Sequence, residues 1–170
     1  MVLTERLESP GNLGLLAVLG SGALLAGAYY FQYVMGLQPC EMCLWQRWPH
    51  MVAIAAGLVA LASLVVSPRL TIGLVVVAIA ALVATSAIGV FHVGVENHWW
   101  AGPQACSGTI PQGLSAEELK KYLFSAKMVR CDQTAWSMWG VSMAGWNAIL
   151  SALLALGLAA GVAGWVKSRP

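Results

Sequence analysis

Four long apolar stretches, separated by polar segments, set the plan of this chain. Ser9–Cys40, Trp48–Pro68, Leu70–Val95 and Gln133–Val166 contain no Asp, Glu, Lys or Arg. Each is long enough for the roughly 20 residues a helix needs to cross a bilayer. Inside lipid every backbone amide needs an internal partner, so the pattern predicts helices. Their cores are expected near Leu13–Val34, Met51–Val66, Leu70–Phe91 and Met143–Val166. The first run exceeds the apolar core of a signal peptide, about 7–15 residues, and mixed charges lead it (Glu5, Arg6, Glu8), so it reads as a retained helix. Small residues recur through the runs, among them Gly20, Gly22, Gly27, Ala53, Ala55, Ala56, Ala78, Ala80 and Ala81. Such residues let helix backbones approach closely in lipid. The expected fold class is an all-α membrane protein, a four-transmembrane-helix bundle with residues 1–170 as one integral membrane domain.

Ser67-Pro68-Arg69 leaves room only for a tight antiparallel connection between spans two and three. An even number of spans puts both termini on the side of that turn. Two polar segments, Met35–Arg47 and Glu96–Ser142, then share the opposite side. Lys and Arg are spread over both sides, so the positive-inside rule does not choose between them. Within the longer loop, Ser115-Ala116-Glu117-Glu118 has the form of a capping box, with Leu114 and Leu119 placed as a staple. Leu119, Tyr122, Leu123 and Ala126 continue as an apolar stripe, which predicts a short amphipathic helix lying in the membrane interface. Trp45, Trp48, Trp99, Trp100, Trp136, Trp139 and Trp146 flank the same side, as an aromatic belt does.

Composition agrees with the pattern. Only 9% of the 170 residues are charged and mean hydropathy is +0.73, whereas soluble domains carry about 25% charged residues. A net charge of +2 with no basic run argues against a nucleic-acid partner.

The chain has four cysteines, all in the two polar segments of one side: Cys40 and Cys43 in the first, Cys106 and Cys131 in the second. Stable disulfides belong to oxidising compartments. That places the cysteine loops in the periplasm of a bacterial inner membrane and the termini in the cytoplasm. A bare Cys-x-x-Cys is either a redox pair or half a zinc site. Here Pro39 precedes it, and a helix beginning near Cys40 would hold both thiols where free amides and the dipole favour a thiolate. Cys43 and Arg47 are four apart and share a helical face. Pro49 would kink such a helix, or mark the true start of the span. The predicted helix between Cys106 and Cys131 can return their Cα atoms to within the roughly 7 Å that a disulfide needs. Zinc on all four cysteines is disfavoured because only one pair is close. A pair of structural disulfides is a further alternative.

Gln38-Pro39-Cys40-Glu41-Met42-Cys43-Leu44-Trp45-Gln46-Arg47, the Cys106/Cys131 pair, and Trp136-Ser137-Met138-Trp139-Gly140-Val141-Ser142-Met143 into Trp146-Asn147 carry a resemblance. Over nearly its whole length the chain resembles the bacterial disulfide-bond formation protein B (DsbB) family of inner-membrane thiol oxidases. The resemblance implies a protein dithiol:quinone oxidoreductase with Cys40, Cys43, Cys106 and Cys131 as catalytic residues. A reduced thioredoxin-like oxidase of the DsbA type attacks a Cys106–Cys131 disulfide at Cys106. Cys131 then attacks Cys40, and Cys43 is left as a thiolate facing ubiquinone or menaquinone. Arg47 would hold both the Cys43 anion and the reduced quinone. His92 and Glu96, four residues apart on the third helix, are expected beside the quinone as proton donors. His50 is expected to face headgroups, and His98 a loop. Two other readings are a membrane scaffold with structural disulfides and a vitamin K epoxide reductase-like thiol enzyme.

Overall fold

The computed structural model of the chain describes residues 9–103, 113, 115–118, 120 and 129–169. Among these, four long helices follow one another: α1 (Pro10–Tyr33), α2 (Glu41–Ser63), α3 (Pro68–Glu96) and α4 (Met143–Lys167). Each helix packs on the next in sequence, and α1 also meets α3 and α4. The protein is an all-α membrane protein: α1, α3 and α4 are each long and apolar enough to cross a bilayer.

Side-chain caps set three of the helix starts. The Ser9 Oγ accepts from the Asn12 amide, the Cys40 Sγ from the Cys43 amide, and the Ser142 Oγ from the Gly145 amide. Each satisfies one of the free donors of a first turn. The second helix differs from expectation. It opens at Glu41 rather than Met51 and runs unbroken through Pro49 to Ser63. Its first half carries Glu41, Gln46, Arg47 and His50, which lower its average hydropathy. Gln46, Arg47 and His50 are buried among the other helices. A linear average cannot see that direction. The third helix also overruns its expected core, so His92 and Glu96 both belong to it.

The bundle is apolar outside and partly polar within. Leu19, Val65, Val83, Leu153 and Leu156 are exposed, while Ser21, Thr71, Thr85, His92 and Ser151 are buried. Close crossings rest on small residues. A Cβ at Gly57 would lie 2.9 Å from the Gly14 carbonyl oxygen, and one at Gly89 would lie 3.0 Å from that of Ala144. Gly14, Gly57 and Gly89 thus make the contacts, whereas Gly22 and Gly27 face open space. Overpacking a tight core costs about 1–3 kcal/mol. Gly57→Leu should therefore lower the thermal unfolding midpoint in detergent, and Gly22→Leu should not.

Before α4 the chain forms a short antiparallel ribbon, β1 (Ser137–Met138) and β2 (Val141–Ser142). Its turn residues Trp139 and Gly140 have φ of 52° and 76°, the left-handed pair that a tight two-residue hairpin needs. The Trp146 indole donates to the Met138 carbonyl and ties the ribbon to α4. In the long loop the capping box forms: the Ser115 amide donates to Glu118 and the Glu118 amide to Ser115 Oγ. Leu114, Leu119, Tyr122, Leu123 and Ala126 lie outside the described residues.

Candidate functional site

The site begins at the first turn of α2. Cys40 is the N-cap and Cys43 the third helical residue, so the helix start itself brings their sulfurs to 2.9 Å. Both are free thiols. Cys43 shares a hydrogen bond with the Cys40 sulfur, and its amide donates to that sulfur as well. The same sulfur–sulfur bond, with burial, pushes the Cys40 thiol up. Either sulfur can donate in that bond, and Arg47 lies one turn further along the helix. Glu41, whose role the sequence left open, turns away and accepts from the Trp45 indole.

Arg47 is buried and braced from α1. It donates to the Gln32 side-chain oxygen at 2.6 Å, and its guanidinium lies 4.9 Å from the Tyr29 ring centroid. A cavity of about 450 Å³ opens beside it. Leu24, Ala28 and Phe31 form one wall, and Trp136, Trp146 and Leu150 another. Cys43, Arg47 and His50 project into the lining from α2. These three sit at i, i+4 and i+7, one helical face.

A buried hydrogen-bond network lies behind the cysteines. The Gln46 amide nitrogen reaches both the Met42 carbonyl (3.2 Å) and His92 Nδ1 (2.9 Å). The Gln46 oxygen accepts from Asn147 Nδ2, which also donates to Thr85 Oγ1. Thr85 donates to the Gln46 carbonyl. Backbone carbonyls only accept, so Met42 and Gln46 fix the direction of the whole network. His92 Nδ1 is then an acceptor, and its Nε2–H faces Cys40 Sγ at 3.6 Å. His92 lies against Cys40 and is absent from the cavity lining, as is Glu96. Glu96 is half buried beside Ser142. Cys40, Cys43 and His92 have metal-ligand spacing, but a metal at Nε2 would need Nδ1 protonated against the Gln46 amide.

Cys131 is fully buried and disulfide-bonded, and packs in one cluster with Cys40, Met42 and Val95. Cys106 lies outside the described residues. The bundle therefore brings Cys131 next to the first pair. The family model for disulfide bond formation protein DsbB matches residues 10–161.

The chain belongs to the DsbB family.

Named relatives agree over most of their length. Disulfide bond formation protein B of Stutzerimonas stutzeri is 31% identical over 84% of this chain and 88% of its own. Its namesake from Polaromonas sp. is 30% identical over 92% of each, and that of Haemophilus influenzae 29% over 90% and 86%. No solved structure gives a significant match. Within this DsbB-family site, the sequence reading missed Gln46, His50, Thr85 and Asn147 as a set. Gln46 and His50 had a signal, since they lie three and seven residues after Cys43. Thr85 and Asn147 had none, because their partners lie on another helix.

Proposed function

We propose that the protein is a membrane thiol oxidase. It reoxidises a periplasmic thioredoxin-like dithiol oxidase of the DsbA type and passes the electrons to membrane quinone, ubiquinone or menaquinone. One observation carries this reading: a free cysteine pair opens through Cys43 onto a mostly apolar cavity that Arg47 also lines. The cavity suits a quinone head group. Its apolar walls match a lipid-soluble ring, Arg47 supplies donors, and the buried His50 Nδ1 has no partner among the described residues. When bound, quinone supplies the two-electron acceptor.

The residues divide the work. Cys106 takes the attack of the partner's thiolate, and Cys131 is released. Cys131, already beside Cys40, attacks it to form a Cys40–Cys131 bond, and Cys43 leaves as a thiolate held by Arg47. The partner's second thiol then displaces Cys106, and Cys106 takes Cys131 back, which frees Cys40 as a thiol. Disulfide exchange of this kind proceeds by thiolate attack through mixed disulfides. His92, held by Gln46 and the Cys131 backbone, lies against the Cys40 sulfur, a position different from the quinone contact expected of it. Glu96 lies at the same rim. The four helices serve as four spans of a bacterial inner membrane, with α2 crossing because its polar residues face inward. Its full length of 23 residues gives roughly 35 Å of rise, enough for a hydrocarbon core of about 30 Å. The termini are cytoplasmic and both cysteine loops periplasmic.

The test uses purified protein, a reduced thioredoxin-like partner and ubiquinone-1. Partner disulfide and quinol should appear in equal amounts; a protein that forms neither refutes the reading. Cys106→Ser should abolish the mixed disulfide with the partner while ubiquinone-1 still oxidises the Cys40–Cys43 pair.

A further inference from the structure

Quinone reduction by this site raises a proton shortage. A thiolate on Cys43 and a thiol on Cys40 close to a disulfide with release of two electrons and one proton. Quinol needs two electrons and two protons. A titratable group on the cavity wall is placed to supply the second proton. Among the described residues, the titratable side chains of that wall are Cys43, Arg47 and His50, all on α2; α1, the ribbon and α4 contribute none. Arginine keeps its proton at any working pH. Only His50 is left.

The geometry fits that role. His50 is 3% exposed, and its Nε2 lies 2.9 Å from Asn147 Oδ1. Asn147 spends its amide nitrogen on Gln46 and Thr85, so its oxygen faces His50 and Nε2 must carry a hydrogen. The ring is thereby held in one tautomer, and Nδ1 is the nitrogen free to exchange a proton. Nδ1 is buried and has no partner among the described residues. A buried polar atom of this kind calls for a missing ligand.

We propose that His50 is a catalytic residue whose Nδ1 delivers the second proton to a ring oxygen of the quinone. This rests on the quinone reading above. The step starts from the His50 imidazolium, its Nδ1 proton taken up from water: the Cys40–Cys43 bond forms, two electrons pass to the ring, the Cys40 proton and the His50 Nδ1 proton complete the quinol, and His50 is left neutral. Its bare Nδ1 can then accept from the quinol hydroxyl until release. Asn147 is the positioning residue that sets which nitrogen faces the ring.

His50→Ala opens space for added imidazole. General acid catalysis of this type contributes about 10²-fold or more, so kcat for ubiquinone-1 reduction should fall by about that factor and imidazole should recover at least part of it. A wild-type kcat in the variant, or a loss that imidazole leaves untouched, overturns the proposal. Should the variant fail to fold, wild-type protein decides by nitrogen-15 NMR of the histidine rings. Adding ubiquinol-1 should shift His50 Nδ1; an unmoved Nδ1 with quinol bound, as shown by tryptophan fluorescence, overturns it. A wild-type protein that reduces no quinone sinks the parent reading instead, a distinct result.

Discussion

Arg47→Gln should slow quinone reduction by about 10²–10³-fold, the usual cost of losing one preorganised charge donor in a water-poor site. The guanidinium is fixed before any reaction begins. Gln32 takes one of its hydrogens at 2.6 Å, Tyr29 lies under it, and it is 9% exposed. A charge already in place costs nothing to orient when negative charge develops beside it. Glutamine keeps polarity and some reach but has no charge, so the Cys43 thiolate loses a stabilising neighbour. Exchange between the Cys131 and Cys40 sulfurs should slow less, because Arg47 there steadies only the leaving Cys43 thiolate, whereas in quinone reduction it also faces the charge that develops on the ring. Stopped-flow absorbance of ubiquinone-1 measures the first rate, and acid-quenched thiol trapping the second. Equal slowing of both would show that Arg47 only holds α1 against α2. Arg47→Lys should fall between, since a single ammonium keeps charge without the planar fork.

Gln46→Leu should be the most destabilising polar substitution in the bundle. The side chain joins α2, α3 and α4 through Met42, His92 and Asn147. Leucine fills similar volume but strands His92 Nδ1 and one Asn147 hydrogen in a buried site. Each stranded group costs about 1–3 kcal/mol, so a loss of about 2–5 kcal/mol is expected from thermal unfolding in detergent. The effect should spread beyond stability. With Gln46 gone, His92 Nδ1 loses its donor, and of its hydrogen bonds among the described residues only those with Cys40 and the Cys131 backbone still hold the ring. The Cys40–Cys43 pair should then be alkylated with altered selectivity by iodoacetamide near neutral pH, where Cys43 is otherwise the reactive thiol. Unchanged selectivity would separate the network from the cysteines.

Much of this was legible along the chain. Charge-free runs placed the helices, because lipid and a packed interior both exclude unpaired charge. The Cys-x-x-Cys with Arg47 one turn later marked the site, because a helix start dictates where residues three and four apart must point. Ser115 and Glu118 announced their capping box for the same local reason. Of the two starts left open for α2, the one near Cys40 is the observed one; Pro49 and the polar residues before it look like a break only when direction is ignored. The Trp139-Gly140 hairpin was missed, since tryptophan at positive φ has no strong sequence signature.

Local pattern by itself thus determined the helical class, the cysteine motif and the family resemblance, all consequences of spacing within one helix or of chemistry in one loop. Only the packed bundle placed His92 against Cys40 and His50 on the cavity wall. Those positions depend on which helix faces which, and on two backbone carbonyls, Met42 and Gln46, that orient every hydrogen bond between them. Spacing along one strand of sequence carries no information about a partner 52 or 101 residues away.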